Sequence, residues 1–309
     1  MFINLNSLLY IKRGNSMIVT SCGNSVKLAK TLARKLNAKF SPLTILSFPD
    51  GDVYLKFNTS LTGKKVILVQ SFQPLPNRSL FDVLFAAETA KDLGAKKVIL
   101  VAPYLAYMRQ DKRFNPGEAI SSKIMAKLLN NSIDKIITID PHLHRYTSLK
   151  ELFTISAKAL TANTLIADYI QKKIKNCVII GPDWESSQWA ETIAKRIGAE
   201  STVLRKTRFS SRQVAEKMIK PVQLAGKKAV IVDDIISTGH TIAEAAKQAR
   251  KMKAKSITAI GVHGLFVEGA VDKLKKAGVD KIITTNCIEH KTNQIDIAPL
   301  ILEELKKEK

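Results

Sequence analysis

The sequence predicts an α/β protein in which one fold is used twice, each copy a mainly parallel sheet flanked by helices. Two observations carry this. The first is an internal repeat: "SCGNSVKLAKTLARKLNA" (21–38) aligns with "PDWESSQWAETIAKRIGA" (182–199), and "GKKVILVQSF" (63–72) with "GKKAVIVDDI" (226–235). "AKKVILVAPY" (95–104) matches "AKSITAIGVH" (254–263), and "DKIITID" (134–140) matches "DKIITTN" (280–286). The four matches keep their order at a separation of about 145 to 165 residues, a period that indicates duplicated domains and not a solenoid. The second is the alternation of short β-branched runs with amphipathic segments.

The runs "VILVQ", "VILVA", "IITI", "VII", "AVIV" and "ITAIG" are continuously apolar and bounded by Gly, Pro or Asp, as in strands buried on both faces. Between them lie helical patterns; after residue 241, for example, Ile242, Ala245, Ala246, Ala249 and Met252 recur at helical spacing. Strand–helix–strand alternation gives a parallel sheet covered on both sides, with ligands beyond the carboxyl ends of its strands. Two polar segments interrupt the pattern: "YMRQDKRFNPGEA" (107–119), found only in the first copy, and the basic "RKTRFSSRQV" (205–214). Long polar loops in compact α/β domains are commonly functional.

The 309 residues accommodate two domains of ordinary size, and 45% apolar with 25% charged residues describes a globular protein with a substantial core. No apolar run reaches the roughly 18 residues of a membrane span. Residues 1–16 match nothing in the second copy and carry no basic leader or cleavage site, so no signal peptide is expected, and Met17 is an alternative start. Cys22, Cys177 and Cys287 are scattered, which argues against a disulfide framework or zinc site and suits a reducing cytoplasm. The net charge of +22 has two readings, nucleic-acid binding or solvated helix faces that also favour anionic substrates. Dispersed lysines and only 6% aromatic residues, with no aromatic–basic stacking motif, favour the second.

"VIVDDIISTGHT" (230–241) is the sharpest motif. A buried strand ends in Asp233 and Asp234, and a hydroxyl-rich turn then leads into a helix. The helix N-terminus offers N–H donors and partial positive charge to an anion. Ser237, Thr238 and Thr241 add hydroxyls, while the two acids can accept from ribose hydroxyls or orient a hydrated Mg2+. An N-capped helix alone would need one Ser or Thr and no acidic pair.

This loop resembles the ribose-5-phosphate-binding loop of the phosphoribosyltransferase superfamily. With "FPDGDVYLKF" (48–57), "PYLAYMRQDKRF" (103–114), "IDPHLH" (139–144), "GPD" (181–183) and "KTR" (206–208), the chain from about residue 17 onward resembles the ribose-phosphate diphosphokinases. That family is built from two phosphoribosyltransferase-like domains. The resemblance implies a domain over 17–158 with an ATP-contacting turn and an Arg-Gln loop, and one over 159–309 with the ribose-5-phosphate and catalytic loops. It implies transfer of the β,γ-diphosphoryl group of ATP to the C1 hydroxyl of ribose 5-phosphate, with Mg2+, in a cytoplasmic homo-oligomer without membrane or nucleic-acid partners.

By the same resemblance, Lys206 and Arg208 are the catalytic pair, with Arg208 also touching ribose 5-phosphate. Phe48, Asp50, Gly51, Asp52, Arg109 and Gln110 bind ATP. Asp233, Asp234, Ser237, Thr238, Gly239, His240 and Thr241 bind ribose 5-phosphate, and His142 and Asp183 hold metal. Taken alone, "DGD" is also an ordinary turn, and a lone His at a strand end is also an ordinary hydrogen-bonded group. The chain departs from the family loop at Ser237, usually an acid, and at His240, usually a glycine whose replacement costs energy if φ there is positive. His144, outside the family pattern, is expected to face solvent, and Trp184 to fill space near the sugar or a domain interface. Within the same fold, the alternatives are a non-catalytic scaffold subunit and a phosphoribosyltransferase that joins the sugar to a base.

Overall fold

The computed structural model describes residues 16–208, 214–218 and 222–308, without the side chains of 204–208 and 214–218. The first copy runs β1 (Met17–Thr20), α1 (Val26–Leu36), β2 (Lys39–Phe40), β3 (Leu43–Ser47), β4 (Val53–Phe57) and β5 (Lys65–Val69). It continues through α2 (Pro76–Asp92), β6 (Lys97–Ala102), α3 (Ser121–Ser132), β7 (Lys135–Ile139) and β8 (Ser156–Leu160). The second copy runs α4 (Asn163–Lys173), β9 (Cys177–Gly181), α5 (Ser187–Ile197), β10 (Glu200–Arg208), β11 (Val214–Met218) and β12 (Lys228–Ile236). It closes with α6 (His240–Lys251), β13 (Ser256–Gly264), α7 (Ala270–Lys276), β14 (Lys281–Thr285), β15 (Asn293–Ile295) and α8 (Ala298–Lys306).

The two sheets share one topology. The first is ordered β2-β1-β5-β6-β7-β8 and the second β11-β10-β9-β12-β13-β14-β15. Every pair in the first sheet is parallel, as is every pair in the second except β10–β11. The repeat in the sequence thus becomes strand-for-strand equivalence: β1 with β9, β5 with β12, β6 with β13 and β7 with β14. The antiparallel β3–β4 hairpin of the first copy takes the chain position that the β10–β11 ribbon takes in the second.

Side chains alternate across the sheets as the two-residue strand period requires. In β5, Ile67 and Val69 join a core shared by both copies, while Val66 and Leu68 face α2 and α3. In β12, Val230 and Val232 join the shared core, while Ala229 and Ile231 face α6 and α7. The shared core holds the apolar faces of α1, α4, α5 and α8, so these helices form a layer between the sheets. Both faces of each sheet are therefore covered, which is why the strands read as unbroken apolar runs.

This arrangement places a crevice. After β9 the chain crosses to α5 on the shared face, whereas after β12 it crosses to α6 on the opposite face. Adjacent parallel strands whose connections diverge leave an opening at their carboxyl ends. Asp183 follows β9, and Asp233 to Thr241 form the end of β12 and the start of α6.

Candidate active site

A cavity of about 420 Å3 occupies that opening. Its wall includes Arg109, Asp140, His142, His144, Asp183, Glu185, Trp189, Asp233, Asp234 and Ser237 to Ile242. Both copies contribute: Arg109, residues 140–144 and the end of β8 come from the first, and residues from Asp183 onward from the second. The loop from β6 and the turn after β7 reach across because the carboxyl ends of the two sheets meet here.

The acidic pair is electrically asymmetric. Burial raises the Asp233 pKa, and the charges of Asp234 and Asp183 raise it further. Burial also opposes ionisation of Asp234, but the hydrogen bond from His142 and the nearby His144 imidazole outweigh it and hold that carboxyl far below the usual range. His142 Nδ1 lies 2.6 Å from Asp234 Oδ2, and His144 Nε2 lies 2.9 Å from His142 Nδ1. The neighbouring Asp234 carboxylate raises the His144 pKa. Burial also pushes Asp140 up to about 7, although its Oδ2 accepts from the Ala162 N–H at 2.8 Å.

The anion-binding loop has the expected geometry. Gly239 caps α6 with φ 72°, in the left-handed region, and supplies no side chain to the first-turn N–H groups. A Cβ there would also approach the Leu274 side chain to 3.2 Å. His240 is the first residue of α6, so the positive φ falls on Gly239 and a side chain at 240 costs no such strain. On the opposite rim, Asp183 closes a tight turn: its Oδ1 accepts from the Ser186 N–H at 3.0 Å, and its carbonyl from the Ser186 hydroxyl at 2.8 Å.

The chain thus brings Arg109, His142, Asp183, Asp233, Asp234, Ser237, Thr238, Gly239, His240 and Thr241 to one cavity. Phe48, Asp50, Gly51 and Asp52 are elsewhere, exposed at the tip of the β3–β4 hairpin. There the Phe48 N–H donates to the Asp52 carbonyl at 2.8 Å, and the Phe48 ring meets Tyr54 edge-on. The Gln110 side chain bonds the Ser121 hydroxyl beside α3, outside the cavity wall. Lys206 and Arg208 lie on β10, paired with Glu216 and Val214 of β11; their side chains lie outside the described part of the structure.

One expectation is extended and one corrected. His144 is exposed, as expected, but the backbone turns through positive φ at Asp140 (38°) and His142 (53°), bringing one side of the His144 ring against His142 and toward Asp234. Trp184 does not fill the site, being 68% exposed; Trp189, on the first turns of α5, lines the cavity instead. Asp140, inside "IDPHLH", and Glu185, two residues after "GPD", are also in the wall, although the sequence assigns neither a role. Among the described residues no helix is long and apolar enough to cross a membrane.

Comparison with known proteins agrees with this architecture. Residues 17–132 match the family described as the N-terminal domain of ribose phosphate pyrophosphokinase, and residues 148–300 match the phosphoribosyl transferase domain. A ribose-phosphate pyrophosphokinase of Methanothermobacter thermautotrophicus is 37% identical over 94% of this chain and 100% of its own length. One from Saccharolobus solfataricus is 38% identical over 78% of this chain and 82% of its own. The crystal structure of phosphoribosylpyrophosphate synthetase from Mycobacterium smegmatis superposes with a TM-score of 0.83 at 25% identity, covering 94% of this chain and 98% of that one. With both halves matched in order, and relatives aligned nearly end to end, the chain belongs to the ribose-phosphate pyrophosphokinase family.

Proposed function

We propose that the cavity binds ribose 5-phosphate and that the protein transfers the β,γ-diphosphoryl group of ATP to its C1 hydroxyl, giving 5-phosphoribosyl 1-diphosphate and AMP. The observation that carries this is the convergence, at one strand end, of the Asp233–Asp234 pair with the open N-terminus of α6. The N–H groups and hydroxyls of Ser237 to Thr241 would take the 5-phosphate. Asp233 and Asp234 would accept from the ribose hydroxyls, fixing the sugar with C1 toward the cavity mouth.

In the reaction, the C1 oxygen bonds to the β-phosphorus as the bond from that phosphorus to the α–β bridging oxygen breaks, and AMP departs. Such transfers depend on positioning and on neutralising charge at the phosphoryl oxygens. Arg109 stands in the cavity wall to share that task. Lys206 and Arg208, on the neighbouring ribbon, would complete it: a planar guanidinium suits bidentate phosphate contact, and an ammonium acts as a movable point charge.

The residues present fit Mg2+. Asp183, Asp233 and Asp234 offer the carboxylate oxygens this ion prefers, and a cation would relieve the charge crowding that, with burial, raises the Asp233 pKa. His142 and Asp183, with Asp234, would hold it. A bound Mg2+ supplies electrostatic neutralisation of the phosphoryl oxygens.

The hairpin carrying Phe48, Asp50, Gly51 and Asp52 presents an ATP-contacting surface away from this chain's own cavity. That placement supports a homo-oligomer in which the turn of one subunit and the cavity of another meet. Three free cysteines suit a reducing cytoplasm. The test is AMP formation from ATP. It should require ribose 5-phosphate, and 31P spectra should show a diphosphate on C1. Absence of ribose-5-phosphate-dependent AMP with every divalent ion tried would instead support a non-catalytic scaffold.

A further inference from the structure

One corner of the cavity holds more nitrogen than a magnesium-dependent transfer needs. The imidazoles of His142 and His144, two residues apart, point the same way because of the positive φ at Asp140 and His142. Their ring centroids are 3.9 Å apart and their planes cross at 72°. The turn is held from below by His263, whose Nε2–H donates to the carbonyls of Ile139 (3.0 Å) and Asp140 (3.2 Å). The turn that carries His142 is therefore seated on buried scaffold, and His144 and Glu185 stand at its exposed rim.

His142 Nδ1 faces two partners at once, Asp234 Oδ2 at 2.6 Å and His144 Nε2 at 2.9 Å. A ring nitrogen has one in-plane site, either a proton or a lone pair, and cannot serve both. The remaining side of this triangle, His144 Nε2 to Asp234 Oδ2, is 3.7 Å. A cation with bonds of ~2.0–2.2 Å holds adjacent ligands ~3 Å apart, so one ion satisfies all three atoms where one proton cannot. Glu185 Oε2 stands 4.0 Å from His144 Nε2, and ligand atoms of His142, His144 and Glu185 lie within 4.8 Å of one another.

The donor types select the ion. Mg2+ takes oxygen and parts with water reluctantly, whereas imidazole favours the ions from manganese to zinc, with affinity rising along the series to copper. We propose that His142, His144 and Glu185, bordered by Asp234, bind a divalent first-row transition ion in preference to Mg2+, with His144 as the residue that sets the preference. The inference rests on reading this cavity as the metal-bearing one, and it is separable from the chemistry performed there.

The full-length protein, stripped of metal, is titrated with Co2+ while visible absorption is recorded, with Mg2+ or Zn2+ added in competition. His144→Ala and Glu185→Gln are treated alike, and melting curves check that each variant is folded. Wild type should bind Co2+ with the absorption bands of nitrogen ligation, displaced by Zn2+ but not by a roughly hundredfold excess of Mg2+. His144→Ala should weaken Co2+ by at least the ~10–100-fold that loss of even an outer partner costs, leaving Mg2+ affinity within about threefold. Glu185→Gln should weaken it less.

Wild type that binds Co2+ no tighter than Mg2+, or folded His144→Ala that binds Co2+ unchanged, overturns the proposal. If His144→Ala does not fold, the wild-type competition decides alone. AMP formation is read separately. Tight Co2+ binding without AMP formation would sink the proposed reaction and keep the site, and AMP formation without Co2+ selectivity would do the reverse.

Discussion

His142 Nδ1 and Asp234 Oδ2 are 2.6 Å apart although their residues are separated by 92 positions, and the contact joins the end of β7 in one copy to the end of β12 in the other. The site therefore exists only when both copies are folded and docked. His142→Ala and Asp234→Asn should each lower kcat/KM for ribose 5-phosphate by about 100-fold or more, as loss of a transition-state contact does. The double variant should be scarcely worse than either single one, because residues in one network are not additive. Additive losses in steady-state kinetics would mean that the two act independently.

Lys206 is assigned to the transferring group and not to the sugar. Lys206→Ala should reduce kcat by about two to four orders of magnitude, the range for removing charge stabilisation at a phosphoryl centre. Ribose 5-phosphate affinity, measured by calorimetry, should stay close to wild type. An unchanged kcat would remove the role.

Burial holds the His263 pKa at about 4, against an ordinary 6.5, despite the opposing charge of Asp234. The unfolded chain then takes up a proton at a higher pH than the folded one. Stability from the neutral ring is fully present above pH 6.5 and is lost as pH falls toward 4, by at most roughly 3 kcal/mol. His263→Gln retains a donor for the Ile139 and Asp140 carbonyls and does not titrate. Urea denaturation of the variant at pH 7.5, 6 and 4.5 should show a shallower decline than wild type; parallel declines would contradict the assignment.

The returning helix α8 is fastened to the first sheet by charge. Lys135, only 6% exposed at the start of β7, places its Nζ 2.6 Å from Glu304 Oε1 and 3.0 Å from Glu308 Oε1. Removing one member of a buried ion pair costs about 3–5 kcal/mol. Here Lys307 and Lys97 still reach the two carboxylates at 2.7 Å, so Lys135→Met should cost nearer ~2–3 kcal/mol. Thermal or urea unfolding measures it, and a loss below about 1 kcal/mol would show the pair to be solvated.

The sheets were legible because strands buried on both faces must be continuously apolar, as "VILVQ" and "AVIV" are. The duplicated order was legible because those runs recur with the same neighbours. At the site, the acidic pair and the hydroxyl turn could be read from Asp233 to Thr241, since their chemistry is local. His144 could not, because its direction is set by the positive φ of Asp140 and His142, and neither residue is a glycine to announce it. Glu185 and Trp189 enter the wall through a turn whose course depends on the Asp183–Ser186 bonds. The hairpin tip at Phe48–Asp52 reads as nucleotide-contacting yet stands apart from the cavity, a separation that only three-dimensional placement reveals.

The most direct measurement is a crystal structure of the protein with ribose 5-phosphate. The phosphate should rest against the N–H groups and hydroxyls of Ser237 to Thr241, with the ribose hydroxyls on Asp233 and Asp234 and C1 open to the cavity. A sugar phosphate seated elsewhere, for instance at the equivalent strand end in the first copy near Gln70 and Ser71, would contradict the account.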